Sequence, residues 1–194
     1  MKENDVYDYE SELNAEIENR LSEMEKPDYI APDYQDLDGH WCKDIVNTLT
    51  DNGIYVWGGD KFEPTKGITK GELLEYLRFY SNNSWTFTRM ESSIFVDSRV
   101  NFYNDTDMDK VLTRQEAMKI ICELAGYGEI GKHYEIFIYP FKDVECDKEY
   151  KGYISIMKTL GIIHGDGNDN FNAFKTLTRA EAAAIVYNII MSYN

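Results

Sequence analysis

Three short stretches carry residue types whose spacing could do chemistry: "ITKGELLEYL", "LTRQEAMKII" and "LTRAEAAAIVYNII". Each sets a threonine, a cation and a glutamate in the same order: Thr69, Lys70 and Glu72; Thr113, Arg114 and Glu116; Thr178, Arg179 and Glu181. Thr followed three residues later by Glu is a capping box, in which the hydroxyl accepts the N3 amide and the carboxylate reaches back to the N-cap amide. The cation is the odd member. Positive charge in the first helical turn opposes the macrodipole, at a cost of about 0.3–1 kcal/mol when exposed. Two roles fit it. Helix N-termini bind anions through free amides, and a guanidinium placed there can grip a carboxylate in bidentate fashion. Alternatively, each cation pairs with an acid of a neighbouring element or points into water.

The elements that must position these residues follow from periodicity. Four, seven, eight and eleven residues after each Thr stand Leu73, Tyr76, Leu77 and Tyr80; Ala117, Ile120, Ile121 and Leu124; and Ala182, Ile185, Val186 and Ile189. That is one apolar helical face in one register, three times over, and marks an internal repeat. Two of the three helices have similar front halves. "YQDL" and "FKDV" place Asp36 and Asp143 two residues after an aromatic. An amphipathic segment then runs to Gly53-Ile54 or Gly161-Ile162, where a C′ glycine stops a helix. A Gly-rich turn leads to Phe62 or Phe171, seven residues before the capping Thr.

This pattern of aromatic-x-Asp, Gly-Ile, Phe and Thr-Arg-x-Glu resembles the S-layer homology (SLH) repeat. The third unit, from Phe141, fits best. The first departs at Lys70 and Gly71, and the middle keeps only its second half, from Asn104 to about Tyr127. The resemblance implies an all-α fold: a pseudo-threefold bundle of three helix-loop-helix repeats, plus an N-terminal helix. It divides the chain into an acidic arm (1–33), repeat 1 (34–83), a degenerate repeat 2 (84–130) and repeat 3 (131–194). It implies anchoring to an acidic secondary cell-wall polysaccharide, often pyruvylated, in grooves between repeats. The residues carried over are Arg179, Arg114, Lys70, Asp36, Asp143, Trp41 and Tyr150. As an N1 residue Arg179 is expected to be exposed, so that its removal costs within about 0.5 kcal/mol. The alternative is a degenerate module for protein contacts or scaffolding that no longer binds glycan.

Composition constrains the rest. The net charge is −15, and residues 1 to 36 hold twelve acids against three bases. Such a chain is a poor nucleic-acid binder, since phosphate contacts need clustered Lys and Arg. Leu13, Ile17, Leu21 and Met24 lie at helical spacing in the acidic segment. This fits a helix that packs on the repeats, on a protein partner or on a second copy, and equally a linker with a chance stripe. No apolar run is long enough to span a membrane. "MKENDVYDYESEL" has no secretory h-region, so the expectation is a mature or excised piece of an exported protein, or an intracellular relative. Cys42, Cys122 and Cys146 cannot all pair; Cys42 and Cys122 read as small buried hydrophobes.

"DTDMDKVLTRQE" follows a calcium loop in part, with Asp105, Asp107 and Asp109 at positions 1, 3 and 5 and Glu116 at 12. Lys110 stands where that loop needs Gly, and capping explains Glu116 without metal. Calcium is thus one expectation and an acidic solvated loop the other. His40, His133 and His164 are scattered, and no nucleophile elbow, Walker loop or H-E-x-x-H occurs. The chain is expected not to be an enzyme and to need no other cofactor.

Overall fold

Local signals set the helices of the computed structural model, which describes residues 31–83, 107–143 and 146–192. Three helices begin directly after the capping threonines: α2 (Lys70–Asn83), α3 (Arg114–Leu124) and α6 (Arg179–Ser192). Two front helices precede the first and last of these: α1 (Lys43–Asp51) and α5 (Lys151–Thr159). A one-turn helix, α4 (Gly128–Gly131), follows α3. Among the described residues there are no strands, only isolated bridges, so the fold is all-α as expected. No described helix is long and apolar enough to cross a membrane. The acidic segment with Leu13, Ile17, Leu21 and Met24, and most of the front of repeat 2, lie outside the described residues.

The front helices stop as their glycines require. The Gly53 amide donates to the Thr50 carbonyl and that of Ile54 to Leu49; Gly161 and Ile162 repeat this on Lys158 and Met157. Each pair is a Schellman closure with glycine in the left-handed region, at φ 75° and 73°.

Residues 31–194 belong to one compact unit. The three capped helices meet with their apolar stripes in one cluster, which takes in Leu73, Leu74, Ala117, Ile120, Ile121, Ala182, Ile185 and Ile189. Their N-terminal ends are tied by a closed ring of backbone bonds. The Ile68 amide donates to the Leu177 carbonyl, Leu177 to Leu112, and Leu112 back to Ile68, at 2.9, 2.9 and 3.0 Å. Each bond joins two different units, so the middle unit takes its full place in the ring although its front half is degenerate.

The front helices pack across units. α1 lies on α6, and α5 lies on α3. α6 is therefore apolar on two sides: Ala180, Ala183 and Val186 face the α1 cluster of Leu37, Val46 and Leu49, while Ala182, Ile185 and Ile189 face the main core. A helix apolar all round is a buried helix.

Candidate functional site

The residues chosen for their chemistry stand at the junctions between units. All three capping boxes form. The Glu72, Glu116 and Glu181 carboxylates accept the amides of Thr69, Thr113 and Thr178 at 2.9, 2.8 and 2.9 Å. The next two amides of each helix donate to a neighbouring unit. Those of Lys70, Arg114 and Arg179 reach the carbonyls of Lys110, Lys175 and Lys66, and those of Gly71, Gln115 and Ala180 reach Met108, Ala173 and Pro64. The N3 amides go to the threonine hydroxyls. These helix starts therefore have no free amide to offer an anion, which corrects that part of the sequence expectation.

The arginines answer to the same junctions. Arg114 Nε donates to the Phe171 carbonyl and Nη1 to Glu181, both across the boundary with unit 3. Its guanidinium lies 4.8 Å over the Phe171 ring. Arg179 repeats this one step round the ring. Nη1 donates to the Phe62 carbonyl and to Glu63, Nη2 donates to Glu72 at 2.6 Å, and the guanidinium lies 4.3 Å over Trp57. Arg179 is 4% exposed, which corrects the expectation of an exposed N1 side chain. Each arginine thus binds the capping glutamate of the next unit, so one carboxylate serves both cap and junction. The third junction departs: Glu116 takes Lys110 Nζ at 2.7 Å.

Burial alone would raise the Glu72 carboxyl. The Thr69 amide, the Trp57 indole and Arg179 outweigh it and hold the group below its ordinary range. For Glu116, Lys110 and Thr113 likewise outweigh burial.

Asp36 and Asp143 each have a structural task. The Asp36 carboxylate accepts the amides of Phe62 and Glu63 at 2.8 and 2.7 Å. Asp143 accepts those of Phe171 and Asn172 at 3.0 and 2.6 Å. Glu63 and Asn172 both hold positive φ, at 57° and 58°. Each Asp therefore clamps the bend that delivers its Phe to the junction. Burial would raise Asp36, and the two amides override it and lower it.

The structure gathers the remaining candidates into two grooves. The first, of 480 Å³, is lined by Trp41, Arg114, Asp166, Lys175, Glu181 and Asn188, among others. Trp41 is 59% exposed. Asp166 sits in the wall as the centre of a turn. The amides of Asn168 and Asn170 and the side-chain amides of Asn170 and Asn172 all donate to it, and its carboxyl is held down at about 2. The second groove, of 360 Å³, is lined by Lys70, Lys110, Glu116, Lys119, Glu123 and Tyr150, among others. The two are related by one step of the pseudo-threefold. Trp41 of unit 1 and Arg114 of unit 2 border the unit 3 loop and helix; Tyr150 of unit 3 and Lys70 of unit 1 border the unit 2 loop and helix.

Sequence reasoning missed Trp57, Lys175 and Glu123. Trp57 donates to Glu72 at 2.9 Å and lies in the aromatic cluster with Phe62 and Tyr76. Lys175 has no carboxylate partner among the described residues and stands three residues before the capping Thr, as do Lys66 and Lys110. That repeated lysine was the available signal.

The calcium expectation meets an obstacle. Glu116 is held by Thr113 and Lys110, the residue that replaces the loop's glycine. Asp105 lies outside the described residues. Asp107 and Glu116 line the second groove, but among the described residues no group of three or more carboxylate, His or Cys ligands forms. Cys42, Cys122 and Cys146 are buried thiols in no disulfide. Burial pushes the first two up to about 11 and 12.

The S-layer homology domain family matches residues 33–74 and 140–183. The chain is also 26% identical over 183 residues to Exoglucanase XynX of Acetivibrio thermocellus, which covers 83% of this chain and 16% of that protein. It is 24% identical over 174 residues to Amylopullulanase of Thermoanaerobacterium thermosulfurigenes, covering 81% and 9%. The chain thus spans less than a fifth of either relative. Domains of this family bind cell-wall polysaccharide and occur in proteins anchored at the cell surface; they anchor rather than catalyse. The matched segments are the two whose Asp clamps, glycine stops and capping boxes are complete: residues 33–74 and 140–183 of this chain are S-layer homology repeats.

Proposed function

We propose that the chain anchors a surface protein non-covalently to an acidic secondary cell-wall polysaccharide, and that the polymer lies in the groove bordered by Trp41, Arg114 and Lys175. One observation carries this reading. A largely exposed indole and a lysine without a carboxylate partner among the described residues line the same groove. An exposed aromatic face suits a sugar ring, and the free ammonium suits a carboxylate or pyruvyl group. Arg114 supports that group from the floor through its guanidinium edge, while its main bonds hold the junction. Lys70 and Tyr150 offer the second groove to the same polymer, so that one strand engages the module twice. Asp36, Asp143 and Arg179 act indirectly, by holding the bends and the junction. With a net charge of −15, approach of an acidic polymer depends on these local cations, and added salt weakens it.

Cosedimentation with purified cell walls, before and after the polymer is stripped, tests this. Trp41→Ala and Lys175→Ala each reduce binding at least tenfold, with the melting temperature within about 2 °C of the parent, because both are surface side chains. Undiminished binding by both variants removes the groove from the account. Binding that survives stripping favours a second reading, a protein-contact module. The exposed Ile130, Ile136 and Ile138 speak for that reading.

A further inference from the structure

The second groove contains a carboxylate that its place in the pseudo-threefold does not call for. Glu123, in the last turn of α3, lines it together with Lys70, Lys110 and Lys119, two further carboxylates, Asp107 and Glu116, and Tyr150. Of the cations around it, Lys110 is bound to Glu116 and Lys132 to Glu129. Glu123 has no ion pair of its own among the described residues. Several elements press on it. Lys119 and Cys122 lie on its own helix, Lys70 starts α2, Glu129 and Lys132 come from α4 and its C-cap, and Tyr153 comes from α5. Gly128 packs so closely that a methyl group there would stand 3.1 Å from the Glu123 Cγ. Burial dominates, and raises the Glu123 carboxyl despite the pull of Lys119, Lys132 and Lys70.

We propose that this groove binds an anionic group of its ligand together with a proton on Glu123, so that its grip tightens as the medium acidifies. The proposal rests on the groove reading above and adds its regulation. Ionised, Glu123 sets a poorly solvated negative charge among the lysines and opposes an incoming anion. Protonated, it removes one of the three carboxylates that line the groove with Lys70, Lys110 and Lys119, and turns its own oxygen into a donor. An anion placed beside a desolvated carboxylate raises that carboxylate's proton affinity. By linkage the proton must raise the anion's affinity by the same factor.

Sodium sulfate is the probe, because its charge is constant between about pH 4.5 and 7.5. Binding is followed by NMR on the unaltered chain, against sodium chloride at equal ionic strength, through the Lys119 amide and the Glu123 side-chain carboxyl carbon. Sulfate is expected to raise the midpoint of the Glu123 titration, and its Kd is expected to fall several-fold from about pH 7.5 to about pH 4.5. A one-unit rise in the midpoint corresponds to about tenfold. Glu123→Gln should hold the tighter Kd at both pH values. The proposal is overturned by an unmoved Glu123 midpoint, by equal Kd at the two pH values, by a pH dependence that persists in Glu123→Gln, or by no sulfate response at Lys119. The titration of the unaltered chain decides the matter even if the variant does not fold. Wall cosedimentation through Trp41 and Lys175 is read separately, so failure of the anchoring reading and failure of the proton coupling are distinct results.

Discussion

Arg179 stands against its own helix dipole because it closes a junction between two units. Its guanidinium is out of water, held by two carboxylates, a carbonyl and the Trp57 face. Removing one partner of such a set leaves the other charges uncompensated, at about 3–5 kcal/mol. Arg179→Ala should therefore lower urea-unfolding stability by about 3 kcal/mol or more, whereas Thr178→Ala, which loses only a cap, costs about 1 kcal/mol. A loss below 1 kcal/mol for Arg179→Ala would show that the junction holds without it. Glu72 adds a pH dependence. Its folded carboxyl lies below the ordinary 4.5, so its stabilisation is fully present above that value and is lost as pH falls through the folded one. The Glu72 contribution should be level from about pH 7 to 5 and decline below about 4.5. Glu72→Gln should start lower and decline less; an identical slope in both proteins would remove Glu72 as a source. At this scale the sequence displayed the participants without their partners. The capping boxes were legible because Thr and Glu lie three residues apart. The Arg179–Glu72 pair spans 107 residues and the Asp36 clamp 26, and no local pattern announces a partner at that distance.

Among the elements, starts and stops were legible because threonine caps and glycine stops act within one turn. The packing partners were not: α1 lies on α6, from the opposite end of the repeat series, and only the doubly apolar surface of α6 hinted that two neighbours were needed. The segments leading into the capped helices show how tightly the three units share their axis. Gly67, Val111 and Thr176 stand two residues before their capping threonines and converge there. A Cβ on Gly67 would meet the Thr176 Cγ2 at 2.6 Å and the Val111 Cγ1 at 2.7 Å. Both are β-branched methyls with little rotamer freedom. Gly67→Ala should accordingly cost about 1–3 kcal/mol through overpacking, although alanine is usually harmless at an exposed loop glycine. Adding Val111→Ala should recover part of that loss, because the two sites touch and their effects cannot be additive. Strict additivity in a double-mutant cycle would place the strain elsewhere.

For the unit formed by residues 31–194, the main consequence is closure. In open repeat arrays each unit contacts only its neighbours, and stability grows by nearest-neighbour increments. Here the last unit returns to the first. The Ile68, Leu112 and Leu177 bonds make a ring, Arg179 reaches Glu72, and α1 buries Val46 and Leu49 against Ala183 and Val186 of α6. Cutting off unit 3 would expose the α1 cluster, remove two of the three ring bonds and strip α3 of α5, leaving units 1 and 2 joined by the Leu112–Ile68 ring bond and the Lys70 and Gly71 amide bonds. A fragment of residues 31–130 is therefore expected to lack a cooperative thermal transition. Residues 31–194 should unfold in a single step, with the amides of α1 and α6 exchanging at the same free energy in native-state hydrogen exchange. A cooperative transition in the fragment, or α1 amides that exchange far more easily than those of α6, would show the units to be additive and the ring to be a by-product of packing. Closure also bears on anchoring. Both grooves are bordered by all three units, so a change that opens the ring dismantles them together, and wall binding should vanish in the same transition that melts the core.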